Sequence, residues 1–279
     1  MTKFRLNRLC DPLSGRLVDV AVDHGFFGER AFLTGIEDMT RVVHSLVESA
    51  PDAIQLTLGQ APLLQAIPGK RKPSLILRGD VANVYGDPLA SHLFSVHVVD
   101  AVAEAVRLDA VAICVNLMDL PGRPEIREQN IRSIITLRAE SAAAGMPLMI
   151  EPLVMKSNGG GYGVEGDVDR ILPLVRQAVE LGADLIKADP SDDIEEYHRV
   201  IEVAAPVPVL VRGGGRVSDE ELLRRTAAVI GQGARGIVYG RNIVQHPNPR
   251  AITRALMDLT HDRVTVHEAL AALGREVTA

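Results

Sequence analysis

Lys187 stands in the segment Ala183-Asp184-Leu185-Ile186-Lys187-Ala188, a short apolar run of the kind that forms a buried strand. Strand alternation would aim its side chain into the interior of a parallel sheet, where an ammonium is costly to keep. Desolvation then predicts a lowered pKa and a larger share of neutral amine, the form that attacks a carbonyl to give a Schiff base. The plainer alternative is a lysine that reaches the rim or pairs with Asp184 or Asp189. Two glycine-rich stretches suggest what such an amine would act on. Gly213-Gly214-Gly215, directly after Arg212, and Gly240-Arg241-Asn242 each follow an apolar run. Loops of that type let backbone amides approach a phosphate, with Arg212 and Arg241 available for charge-assisted contacts. As the alternative, they are simply tight turns.

Further candidates end other apolar runs. Asp23-His24-Gly25 follows the first, and there Asp23 is placed to orient a hydroxyl or move a proton, while His24 is a local partner or substrate contact. Asp80 and Asn116 end the third and fourth runs. Lys156 and Asn158 follow the fifth and are candidate substrate contacts, and Tyr162 lies in the glycine-rich stretch beyond them as a possible proton-transfer group. The histidines are dispersed without ligand spacing, and Cys10 and Cys114 form neither a disulfide framework nor a zinc motif. No metal and no cofactor are expected.

The elements that must position these residues alternate along the chain. Strands are predicted at 17–22, 53–57, 74–78, 110–115, 147–154, 184–188, 207–211 and 236–239. Helices are predicted at 36–48, 61–67, 96–107, 127–144, 169–181, 194–204 and 219–231. Eight strands, each followed by a helix, predict a parallel (β/α)₈ barrel, with helices at 250–259 and 266–273 closing it. A doubly wound open sheet is the alternative. The 279 residues suit one barrel domain spanning 1–279, and a composition 47% hydrophobic but only 3% aromatic calls for a Val, Ile, Leu and Ala core. A formal charge of −6 without long charge runs argues against nucleic acid or an anionic membrane as partner. The absence of a signal-like or membrane-length apolar segment points to a soluble, cytoplasmic protein.

Taken in order and spacing, Val20-Ala21-Val22-Asp23-His24-Gly25, Gly182-Ala183-Asp184-Leu185-Ile186-Lys187, Val209–Gly215 and Gly240-Arg241-Asn242-Ile243-Val244-Gln245-His246-Pro247 resemble the archaeal-type class I fructose-bisphosphate aldolases and their relatives. The resemblance implies a barrel, often decameric or otherwise homo-oligomeric, whose sixth-strand lysine, here Lys187, forms an imine with a small ketose phosphate. It also maps the first-strand aspartate to Asp23 and phosphate binding to 213–215, Gly240 and Arg241. One departure is clear. Those aldolases and the related aminodideoxyheptulosonate synthases carry a tyrosine turn after strand 5, where this chain has Met155-Lys156-Ser157-Asn158-Gly159-Gly160-Gly161. The related thiolase acting on a phosphorylated autoinducer-2 derivative also lacks that turn. Three outcomes therefore stay open: a carbon–carbon lyase, a lysine-dependent thiolase, acyltransferase or transaldolase-like enzyme, and a non-catalytic sugar-phosphate binding barrel. An isomerase using Asp23 without an imine is a further alternative.

Overall fold

In the computed structural model, which describes residues 2–86 and 88–278, eight parallel strands close on themselves. They are β1 Leu17–Ala21, β2 Ala53–Thr57, β3 Ser74–Arg78, β4 Ala110–Asp119, β5 Leu148–Asn158, β6 Leu185–Ala188, β7 Val209–Arg212 and β8 Gly236–Tyr239. Their order around the ring is β4-β3-β2-β1-β8-β7-β6-β5, and pairing of β4 with β5 from Ile113↔Leu148 to Asp119↔Val154 completes the closure. This is a (β/α)₈ barrel, and each of the eight predicted strands is present; the open sheet is excluded by the β4–β5 pairing. Helices cover the outside, among them Met39–Ser49, Pro124–Ala144, Val168–Glu180 and Asp219–Gly231. Asp38, Asp167 and Ser218 cap three of these by accepting backbone N–H bonds. Pro249–Thr260 and Val266–Thr278 are the two closing helices.

Three segments differ from expectation. The helix predicted over 96–107 begins only at Ala101, because Ser95–His97 pairs antiparallel with Asp80–Ala82 above β3. The glycine-rich stretch after β5 is a hairpin and not an irregular loop: β5 runs to Asn158, turns at Gly159 with φ +61°, and pairs back through Gly161–Val164. An N-terminal helix, Thr2–Leu9, was not predicted; its Leu9, with Leu6 and Cys10, packs against the residues that fill the barrel's lower interior.

That interior explains how the chain builds its site. Leu17, Ala53, Ile76, Met149, Leu185 and Leu210 pack together inside the barrel. Side chains two positions apart on a strand share a face. Two residues further on from each, the same inward face therefore carries Asp19, Gln55, Arg78, Glu151, Lys187 and Arg212. The barrel is thus apolar at its amino end and charged at its carboxyl end, the end at which barrel enzymes act.

Candidate active site

Lys187 is 3% exposed, and its Nζ lies 3.0 Å from Glu151 Oε2. Its partner is neither Asp184 nor Asp189. Glu151 in turn accepts from Arg78 Nη2 at 2.6 Å and is paired with Arg212 Nε at 3.2 Å. Arg78 is shared among three carboxylates, since its Nε reaches Asp23 Oδ2 at 2.6 Å and its Nη1 reaches Asp80 Oδ1 at 3.2 Å. Gln55 Nε2 also donates to Asp23 Oδ2, at 2.5 Å, and Asn116 donates its backbone and side-chain N–H to Asp80 Oδ2, each at 2.8 Å. Arg212 pairs with Asp189 as well. Buried charges of this kind persist only when paired and hydrogen-bonded.

The lattice sets the protonation states. Burial pushes the Lys187 ammonium toward neutrality, but Glu151 opposes this and the net pKa is raised. The expectation of a lowered lysine pKa is therefore corrected: the counterion outweighs desolvation, and the resting side chain is an ammonium. Burial pushes the Glu151 carboxyl up, yet Lys187, Arg78 and Arg212 hold it well below the usual carboxylate range. Asp23, also opposed by burial, is kept low by Arg78 and Lys187. Asp19 differs. It is fully buried on β1 with neither carboxyl oxygen hydrogen-bonded, and burial, only partly offset by Lys187, raises its pKa to about 8. Burial likewise raises the Cys114 thiol and lowers His24, which stays a neutral imidazole with its Nε2 unpartnered.

Above the lattice opens a pocket of roughly 570 Å³ of empty space, open solvent at its mouth included. Of the predicted residues, Lys187, Asp23, His24, Arg212, Gly213, Gly214, Gly240 and Arg241 all line it. Gly214 adopts φ +61°, and a Cβ on Gly240 would meet the Ala21 carbonyl oxygen at 2.6 Å, so the two loops depend on glycine. Asn242 Nδ2 ties them together by donating to the Gly213 and Gly215 carbonyls, each at 3.1 Å. Gly215 itself lies just outside the pocket lining. Arg241 is half-buried, and its Nη2 contacts the Gly214 carbonyl at 3.4 Å.

Three predicted residues are not brought to the pocket. The hairpin carries Lys156 to Glu165, 3.4 Å away, and holds Asn158 opposite Gly161 near its tip. Tyr162 donates its hydroxyl to the Pro121 carbonyl at 3.0 Å, on the far side of β5 from Lys187. The pocket's phenol is instead Tyr85, from the segment between Asp80–Ala82 and Ser95–His97; it is half-buried, its hydroxyl donates to Met155 Sδ at 3.9 Å, and burial raises its pKa. Tyr85, Glu151, Arg78, Gln55 and Asp19 were missed from the sequence. A signal existed for the strand residues, since each is a polar interruption of an apolar run in the same phase as Lys187. Tyr85 had none, because the segment carrying it follows no regular period. Among the described residues no group of three or more His, Cys, Asp or Glu side chains is arranged to hold a metal ion.

The closed (β/α)₈ barrel and the pocket at its carboxyl end are those of a barrel enzyme, and the family match makes it one of the aldolase type. The profile of the "DeoC/LacD family aldolase" group matches residues 17–246, and the chain belongs to that family. It is 31% identical over 276 residues to an uncharacterized aldolase of Saccharolobus solfataricus, covering 98% of each chain. It is 29% identical over 265 residues to 3-hydroxy-5-phosphonooxypentane-2,4-dione thiolase of Klebsiella pneumoniae, covering 95% of this chain and 83% of that one. Among solved structures, an archaeal fructose-1,6-bisphosphate aldolase with its catalytic lysine bound to a carbinolamine intermediate superposes with TM-score 0.77 at 23% identity, covering 94% of this chain and all of that one, a likeness of fold.

Proposed function

We propose that the protein is a class I, metal-independent aldolase that makes or breaks a carbon–carbon bond in a phosphorylated ketose or related sugar phosphate, with Lys187 as the nucleophile. The observation that carries this reading is the 3.0 Å Lys187–Glu151 pair at the floor of a pocket whose rim bears two glycine loops and Arg241. The Lys187 ammonium gives up one proton to solvent in the pocket, and the freed amine adds to the ketone carbon. The carbinolamine then loses its hydroxyl as water, with a proton supplied from the pocket, to leave an iminium. In cleavage the substrate hydroxyl next to the scissile bond loses a proton, the C–C bond pair flows into the iminium, and an aldehyde departs. The resulting enamine is protonated on carbon, and water hydrolyses the new iminium to free the lysine. Asp23 and Tyr85 line the pocket and serve the hydroxyl and aldehyde protons; Arg241 and the loops at Gly213, Gly214 and Gly240 hold the phosphate.

The test is intact-mass spectrometry after borohydride treatment with dihydroxyacetone phosphate or fructose 1,6-bisphosphate, comparing wild type with Lys187→Ala. A covalent adduct only in the wild type supports the reading. Absence of any adduct with these and a wider panel of sugar phosphates ends it. Similarity to a thiolase, together with the displaced Tyr162, favours a second reading in which Lys187 activates a ketone for transfer to another acceptor. Strict dependence of turnover on a second substrate would select that reading.

A further inference from the structure

The chain has nine aromatic residues of the Phe, Tyr and Trp types, five Phe and four Tyr. Four of them, Phe26, Phe27, Phe32 and Tyr85, line the one pocket above Lys187. They form a continuous wall. Ring centroids lie 4.0 Å apart for Phe26–Phe27, 4.6 Å for Phe27–Tyr85, 5.0 Å for Phe32–Tyr85 and 5.7 Å for Phe27–Phe32. All four are half-buried and line the pocket, and the Arg78 guanidinium lies 4.9 Å from the Phe26 ring centre. On their other side Phe26, Phe27 and Tyr85 pack against a buried cluster that includes Ala82, Val84, Met118 and Met155, which fixes the rings in place. The rings meet mostly edge to face, at 69–85°, apart from the 34° Phe26–Phe27 pair, and an aromatic lining of this kind is matched by an apolar aromatic ligand group through offset or edge-to-face contact.

Charge complements the shape. Arg78 is committed to Asp23, Asp80 and Glu151, Lys187 to Glu151, and Arg212 to Glu151 and Asp189. Among the described residues, Arg241 is the pocket's one cation without a carboxylate partner; it stacks its guanidinium 5.2 Å from the Phe32 ring centre, at the junction of glycine loop and aromatic wall. The pocket thus offers one anion site and, beside it, a surface on which a second phosphate would find no free cation.

Resting on the Schiff-base reading, we infer that the substrate carries a single phosphate, on its ketone half, and that its aldehyde half is an unphosphorylated aromatic aldehyde held against Phe26, Phe27, Phe32 and Tyr85. In the synthetic direction the enamine carbon bonds to the aldehyde carbon. The C=O π pair moves to oxygen, which takes one proton, and the nitrogen lone pair re-forms the iminium. Water then adds, expels Lys187 and restores the ketone.

The test measures kcat/KM with dihydroxyacetone phosphate as donor and benzaldehyde, glycolaldehyde or glyceraldehyde 3-phosphate as acceptor, alongside borohydride trapping of the donor. Benzaldehyde should exceed each of the others by about tenfold or more, the scale of one or two aromatic contacts. Phe27→Leu should lower the benzaldehyde-to-glycolaldehyde ratio by about the same factor, and the ratio cancels any loss common to both acceptors. Phe26→Leu gives the same ratio should Phe27→Leu fail to fold. Preference for glyceraldehyde 3-phosphate, or an unchanged ratio in the variant, overturns the inference while donor trapping leaves the imine lysine intact. Failure to trap the donor removes both.

Discussion

Asp19 offers a perturbation whose size follows directly from its surroundings. It is fully buried, its carboxyl oxygens have no hydrogen-bond partner, and its pKa stands at about 8 against an ordinary 3.8. The folded state therefore keeps a proton that the unfolded chain releases. Between pH 3.8 and 8 the native state binds more protons than the unfolded one, so stability falls as pH rises. The contribution is fully present below pH 3.8 and gone above about pH 8. At about 1.36 kcal/mol per pH unit, the cost accumulated by pH 7 is roughly 4 kcal/mol, and by pH 5 about 2 kcal/mol. Asn is neutral in both states and close in shape to the protonated acid. Asp19→Asn should then stabilise the protein by these amounts. With an unfolding entropy near 2.1 cal/mol/K per residue, that is a rise in Tm of about 7 °C at pH 7 and about 3 °C at pH 5. Calorimetry at the two pH values measures it. A gain of equal size at both, or a loss at both, would show that Asp19 does not hold a proton in the fold. An acid kept at such cost beside the proposed nucleophile is the kind of site where stability is given up for function.

Other outcomes follow from the same geometry. Because Glu151 holds Lys187 protonated, adduct trapping in the wild type should increase with pH, and Glu151→Gln should move that increase to lower pH; superimposable profiles of trapped mass against pH would refute the pairing. Arg241→Ala should raise KM for dihydroxyacetone phosphate about 10- to 100-fold, the loss of one charged hydrogen-bonding contact, and change KM for unphosphorylated dihydroxyacetone by less than about threefold. Equal losses for the two donors would remove Arg241 from the phosphate site. Tyr162→Phe should leave kcat within about threefold, since its hydroxyl serves Pro121, whereas Tyr85→Phe should lower it about 100-fold. Steady-state kinetics decides, and the reverse order would return the proton-transfer role to the hairpin.

The strands and the lysine were legible because they rest on local rules: short β-branched runs, alternating with helical periods, have few other ways to fold. The glycine loops were legible for the same reason, each following directly on a strand. Lys187 was found, but its partner was not, since Glu151 is 36 residues away in sequence and meets it only through the β5–β6 pairing of Ile150 with Ile186. Without that partner, desolvation alone governed the expectation, and the sign of the pKa shift came out reversed. Tyr162 was misplaced for a related reason. A glycine-rich stretch reads as loose chain, yet antiparallel pairing of Met155–Asn158 with Gly161–Val164 fixes it as a hairpin in which the Tyr162 hydroxyl is donated to the Pro121 carbonyl. The helix expected over 96–107 lost its first turn to the pairing of Ser95–His97 with Asp80–Ala82. For Lys187 and the 96–107 segment a contact distant in sequence overrode a local preference, whereas at the hairpin it was a pairing of residues only three to nine positions apart.

The reversed sign has a mechanistic meaning. A class I reaction begins with an ammonium and passes through an iminium, two cations at nearly the same point in space. Glu151 at 3.0 Å, itself fixed by Arg78 and Arg212, is suited to both. Its carboxylate makes the initial deprotonation harder, and that cost is met once. Thereafter the same preorganised charge stabilises the iminium that draws electrons from the breaking bond, with no solvent to rearrange. The lattice is therefore better matched to the electron-withdrawing intermediate than to the free amine, as differential stabilisation requires. Glu151→Gln separates the two effects. On this account the variant traps donor at lower pH than the wild type yet turns over more slowly, because the amine is easier to free and the iminium less well held. A variant that gained in both would mean that Glu151 acts as a brake on Lys187 and nothing more.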